Sequence, residues 1–260
     1  MTGVGRLAIA DGRQRRVTGG GRRFDSSSVP MRTIFPPGVS GGMTEILPDE
    51  TKRFLRAAIA DPDETLQEME ERGEDFPTVG RDVGQFLRVL AYAVDAERIF
   101  EFGSGFGYSA YWFAEALPED GEIVLTEFDD DELREARDYL ERGGFADRAV
   151  FENGDANEIV ERHDGPFDVV LIDHNKDGYP EAWDAIREKV APGGVVIADN
   201  AMVSGIQDFD AILAAMEGED PEMDAETRGI AEYLLAVRDD PDFETSVVPL
   251  GEGIAVSYRR

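Results

Sequence analysis

The chain has 260 residues, 42% of them hydrophobic, which is enough to bury a sizeable core in one large domain or two small ones. It has no cysteine, which excludes disulfides, thiolate nucleophiles and thiolate metal sites, and only two histidines, His163 and His174, so any metal site must be mainly oxygen-ligated. The net charge is −30, from 56 acidic and 26 basic residues, which argues against nucleic acid as a partner.

Only Lys52, Lys176 and Lys189 are lysines. Such an acidic chain repels itself in dilute buffer. At molar salt the Debye length falls to about 3 Å and the repulsion is screened. The composition therefore reads as that of a salt-adapted, halophilic, cytoplasmic protein, or else of an acidic protein from an ordinary cell. No run of 18 apolar residues predicts a membrane span, and no N-terminal segment reads as a secretion signal.

Residues 1–42 stand apart, with seven arginines, two aspartates and no glutamate. Rich in Gly, Ser and Arg and without a period, they are expected to be disordered. They read either as dispensable, or translated upstream of a start at Met43, or as a basic arm for a partner. Residues 43–260 are expected to form a single domain, with N-terminal helices over 43–95 and an α/β core over 96–260.

The helical pattern begins with Thr51–Ala60 and Asp63–Arg72. Pro77-Thr78-Val79-Gly80 breaks it, and Val83–Val94 resumes it with Val83, Leu87, Leu90, Ala91 and Val94 on one face. Strand and helix then alternate. The predicted strands are Arg98–Phe102, Glu122–Glu127, Ala149–Glu152, Phe167–Asp173 and Gly194–Asp199; the predicted helices are Ser109–Ala116, Asp131–Gly143, Asn157–Arg162 and Tyr179–Lys189. This alternation predicts a mostly parallel sheet with helices on both faces. Thr245–Leu250 and Ile254–Tyr258, around Gly251-Glu252-Gly253, read as a closing antiparallel hairpin.

The first strand runs into Gly103-Ser104-Gly105-Phe106-Gly107 and a helix. Glycines there allow a tight turn and close approach of a ligand to the helix start. Glu127, ending the next strand, is placed to accept ribose hydroxyls. Tyr108 stands where a dinucleotide fingerprint needs its third glycine, which disfavours an NAD-dependent oxidoreductase. Asp155, in Gly154-Asp155-Ala156, is placed either near an adenine amine or as a helix cap.

Two buried strands end in carboxylates, at Asp173 and at Asp199-Asn200. If they are parallel neighbours, three oxygen-bearing side chains meet at one edge. Alone each aspartate would be a loop cap; together, crowded carboxylates call for a cation, and all-oxygen ligation suits Mg²⁺, or Mn²⁺ or Ca²⁺. Lys176, three residues after Asp173, can take a proton from a hydroxyl held there.

Together these residues resemble the catechol and caffeoyl-CoA O-methyltransferase family over about residues 75–260. Asp173-His174-Asn175-Lys176-Asp177-Gly178-Tyr179 resembles its metal-and-lysine motif, Asp199-Asn200 its second metal motif, and Glu101-x-Gly103 with Gly107-Tyr108-Ser109 its cofactor loop. The resemblance implies a Rossmann-like class I methyltransferase sheet that binds S-adenosylmethionine and a divalent metal. It implies Asp173, Asp199 and Asn200 as metal ligands and Lys176 as general base. Val79, Glu101, Gly103, Ser109, Glu127, Asp155, Ala156, Asp173 and His174 would line the cofactor; Lys176, Asn200 and, loosely, Glu232 would meet the substrate. The acceptor implied is a small catechol-like vicinal diol, with a homodimer possible through residues 49–72. The chain departs from the family around Asp208–Thr227, read as a pocket-shaping stretch. One alternative keeps methyl transfer but acts on hydroxyuridine in tRNA, with residues 1–42 as the RNA handle. Another is a non-catalytic binder of the same fold.

Overall fold

The computed structural model describes residues 46–73 and 76–260. The expectations for residues 1–42 and for a start at Met43 lie outside them.

Three helices lead: α1 (Asp49–Ala58), α2 (Glu64–Arg72) and α3 (Gly80–Ala93). Then come β1 (Arg98–Phe102), α4 (Tyr108–Ala114), β2 (Glu122–Glu127), α5 (Asp130–Gly143), β3 (Ala149–Asn153), α6 (Ala156–Ile159), β4 (Phe167–Ile172), α7 (Tyr179–Ile186) and β5 (Val190–Ala198). The chain closes with α8 (Phe209–Met216), α9 (Ala225–Asp239), β6 (Phe243–Val248) and β7 (Ile254–Arg259). The sheet order is β3-β2-β1-β4-β5-β7-β6, with β1 to β5 parallel and β7 antiparallel to both its neighbours. The expected parallel sheet and terminal hairpin are both present.

Side chains alternate across a strand, so each strand feeds two cores. Ile99, Ile123, Leu125, Val169, Leu171 and Ile197 pack under α2, α3, α4 and α5. Phe100, Phe102, Val124, Val170, Ile172 and Val196 pack under α6, α7 and α9. Burial on both faces is why these strands read as continuous apolar runs.

The start of one strand and the presence of two helices depart most from the sequence reading. β5 starts at Val190, four residues early, because Val190 pairs with Phe167 before the register shifts and resumes at Val169–Val195. The added residues include Gly193 at φ 87°, the irregularity that hid this part of the strand. α8 and α9 were not foreseen. Asp208 and Asp224 cap them by accepting backbone N–H bonds, but α9 is buried at Gly229, Ile230, Ala231, Tyr233, Leu234 and Val237, which blurs a one-sided period. The stretch read as merely pocket-shaping therefore contains α8 and leads into α9.

The order reverses at β1, whose neighbours are β2 on one side and β4 on the other. Ligands of open α/β sheets bind beyond the strand C-termini at this kind of crevice.

Candidate functional site

At the β1 end, Gly103, Gly105 and Gly107 have φ of 80°, 49° and 83°, values that a side chain would strain. At Gly103 space is also short. A Cβ there would lie 2.7 Å from the Asp173 carbonyl oxygen, so this glycine lets the loops after β1 and β4 touch.

Glu127, at the end of β2, is held by its own chain. Its Oε2 accepts the Gly105 N–H at 2.9 Å, and its Oε1 accepts those of Phe128 at 2.9 Å and Asp129 at 3.0 Å. Glu101 is wholly buried in β1. Burial pushes its pKa up to about 8 against the lowering effect of the Ser109 hydroxyl, which donates to Oε1, while Oε2 has no partner.

His174 stacks on Tyr179, ring centroids 5.4 Å apart, and lies 5.6 Å from Phe102. Burial first, then the Lys176 ammonium, lowers its pKa to about 4, so the ring is neutral with both nitrogens unpartnered. Asp155 caps α6 by accepting the Asn157 N–H at 2.9 Å, and Ala156 behind it is buried. Val79 is buried at the start of α3.

The second group sits at the ends of β4 and β5. Ile172 pairs with Ala198, so Asp173 and Asp199 leave the sheet as neighbours. Lys176 Nζ lies 2.9 Å from Asp173 Oδ1 and 5.2 Å from the Tyr179 ring centre. Burial raises the pKa of Asp173, with Lys176 opposing it. Burial, and then the Asp173 charge, raises that of Asp199 well above the carboxylate range. Asp199 Oδ1 is buried with no partner. Asn200 follows at φ 55°, a left-handed conformation that asparagine tolerates better than most residues.

This cluster fits a divalent cation. Two carboxylates driven toward protonation, one with an orphaned oxygen, share one ammonium and gain most from added positive charge. Among the described residues no group of three His, Cys, Asp or Glu side chains forms a metal cage. The third oxygen would come from the Asn200 amide, and such a partial oxygen set suits Mg²⁺.

Glu232 is exposed on α9, away from the helix's buried face, and is not drawn into this cluster by any described hydrogen bond or ion pair. Two acids that sequence reasoning missed are drawn in. Glu226, in the first turn of α9, accepts the Lys176 backbone N–H at 2.8 Å. Gly229 packs the same helix on that turn, where a Cβ would lie 2.2 Å from the Lys176 carbonyl oxygen. Glu252, in the β6–β7 turn, accepts from the Asn200 side-chain amide. The sequence signal for Glu252 was only a glycine-flanked turn, and nothing in it pointed back across 52 residues.

The fold and both clusters mark an enzyme of the class I methyltransferase type, and comparison with known proteins gives the family. The O-methyltransferase family matches residues 61–260, and the chain belongs to it. It is 30% identical to caffeoyl-CoA O-methyltransferase 1 of Arabidopsis thaliana, over 75% of this chain and 78% of that one. It is 32% identical to a catechol O-methyltransferase of Niastella koreensis, over 57% of this chain and 69% of that one. Among solved structures it resembles the Streptomyces achromogenes O-methyltransferase TomG in complex with S-adenosylmethionine, at TM-score 0.69 and 26% identity, covering 81% and 96% of the two chains. An O-methyltransferase of Bacillus cereus has the same fold, at TM-score 0.70 and 22% identity, covering 81% and 97%. The chain is an S-adenosylmethionine-dependent O-methyltransferase. No described helix is long and apolar enough to cross a membrane.

Proposed function

We propose that the enzyme methylates one hydroxyl of a small vicinal diol, such as a catechol, with help from a divalent cation. One observation carries this reading: Lys176 Nζ lies 2.9 Å from Asp173, beside Asn200 and the Asp199 carboxylate with its unpartnered Oδ1, at adjacent strand ends. Asp173, Asp199 and Asn200 would hold the cation, which when bound supplies positive charge to lower a hydroxyl pKa and chelate two adjacent oxygens. S-adenosylmethionine supplies a methyl group on a sulfonium.

Glu127 would accept the ribose hydroxyls through the lone pairs its backbone contacts leave open. The glycine loop would bring the cofactor to the crevice, and neutral His174 would offer a flat apolar face. Lys176 would act as the neutral amine, its own proton released to water, and would take the hydroxyl proton. The substrate oxygen would then attack the sulfonium methyl carbon, the C–O bond forming as the C–S bond breaks, with that bond's electron pair left on sulfur. The protein's main contribution is alignment of the two reactants.

The test is calorimetric titration of S-adenosylmethionine, then of a catechol-type diol, with and without Mg²⁺. Molar KCl is used because the charge of −30 repels itself at low salt. Cofactor binding with Mg²⁺-dependent diol binding is the expected result. Diol binding indifferent to Mg²⁺ would remove the cation from the reading, and no cofactor binding would overturn it.

A further inference from the structure

The turn Gly251-Glu252-Gly253 lies beside the loop that follows β5. Its Glu252 carboxylate accepts from Asn200 Nδ2, 52 positions away in the chain. We propose that Glu252 is a positioning residue that fixes which end of the Asn200 amide is presented to the cation held by Asp173 and Asp199. The inference rests on the reading of that cluster as a cation site.

An amide has two unlike ends. Its oxygen ligates a hard cation; its NH₂ group, a donor, is repelled by one. A carboxylate only accepts, so Asn200 must turn its NH₂ toward Glu252. That rotation leaves Oδ1 outside the contact as the available ligand atom. Without Glu252 nothing in this pairing distinguishes the two orientations.

The backbone around both residues is fixed as well. The Asn200 carbonyl accepts from the Gln207 side-chain amide at 2.7 Å. Ala201 N–H donates to the Gly253 carbonyl at 2.8 Å, and the N–H groups of Met202 and Val203 donate to the Glu252 carbonyl at 3.2 and 2.9 Å. Gly253, at φ 92°, permits the approach, since a Cβ there would lie 2.5 Å from Met202 Cγ. Gly251, at φ 59°, seats the other side of the turn against Val83 of α3 in the same way. These contacts hold the turn through its main chain and its glycines. The Glu252 side chain is therefore not needed to build the turn, and as an exposed residue it is not part of either core.

Metal ligands oriented by an outer partner lose about 10- to 100-fold in affinity when that partner is removed. The experiment measures Mn²⁺ binding, from the electron paramagnetic resonance signal of the free ion in molar KCl, for wild type, Glu252→Ala and Glu252→Gln. S-adenosylmethionine affinity without metal and the melting temperature are measured on the same samples. Glu252→Ala is expected to weaken Mn²⁺ binding by about 10-fold or more, with cofactor affinity and melting temperature as in wild type. Glu252→Gln can accept from Asn200 in one orientation but can also donate to it in the other, so it is expected to restore part of the loss and to fall between wild type and Glu252→Ala. Wild-type Mn²⁺ affinity in Glu252→Ala would overturn the proposal, as would a Glu252→Gln protein as weak as Glu252→Ala, which would assign the effect to charge. Losses shared equally by metal affinity, cofactor affinity and melting temperature would mark a structural role and overturn it too. Absence of Mn²⁺ binding in the wild type would overturn the cation reading itself, and is seen before any substitution is compared.

Discussion

Glu127 and Asp199 are both buried carboxylates at strand ends, yet the chain treats them differently. Glu127 is met by three backbone N–H groups. Asp199 keeps an oxygen with no partner and shares its surroundings with Asp173. Backbone donors stabilise an ionised carboxylate at little cost, because they point at it whether or not a ligand is present. Two crowded carboxylates with one ammonium are short of positive charge. On the proposed reading, the Glu127 end would take the cofactor and is preorganised by the chain alone, while the Asp199 end would take the acceptor and be completed by what it binds.

Substitutions at the two ends should therefore fail differently. The largest effect is expected at the acceptor end. Lys176→Ala should lower kcat at least ~10²-fold, the low end for a general base, with S-adenosylmethionine affinity kept, as read by steady-state kinetics beside calorimetry. Near-normal turnover would remove Lys176 from the base role.

Next comes Glu127→Ala at the cofactor end. It removes a carboxylate that holds its own loop and is proposed to meet the ribose, and hydrogen bonds to a charged group contribute about 1.5–3 kcal/mol. Calorimetry should show cofactor affinity falling by roughly 10- to 100-fold, while Mn²⁺ binding in the absence of cofactor stays intact. Loss of both together would mean that the two ends are not separable.

A separate effect, on folding and not on turnover or binding, should appear in pH dependence. Burial raises Glu101 from an ordinary 4.5 to about 8 in the folded state. The folded chain holds this proton where the unfolded chain releases it. Its contribution to stability is thus fully present below about 4.5 and is lost as pH rises through about 8. Denaturant unfolding should show Glu101→Gln with a flatter stability profile than wild type over that interval. Parallel profiles would mean that Glu101 ionises normally in the folded chain.

The acceptor end was the more legible in sequence, because its chemistry is carried by residues close along the chain. Asp173 and Lys176 fall within one short loop, and Asp199 and Asn200 are consecutive. The buried strands announced themselves through apolar runs bounded by Gly, Pro or Asp, and β1 and β2 run over the residues expected of them. Glu226 and Glu252 carried no such signal. Each acts on a residue about 50 positions away, and a lone acid in a chain with 56 of them stands out for nothing. Glu232, suggested by resemblance, lies exposed on the helix whose first turn brings Glu226 to Lys176.

By itself the sequence determined the alternation of strands and helices, the glycine loop and the acid and lysine motifs, because periodicity and local spacing are properties of neighbours in the chain. Only the tertiary structure decided that Ile172 pairs with Ala198, so that Asp173 and Asp199 emerge side by side, and that α9 and the last hairpin reach back to Lys176 and Asn200. Those contacts depend on strand register and helix packing, which are set by how the two cores close on the sheet and not by any local pattern.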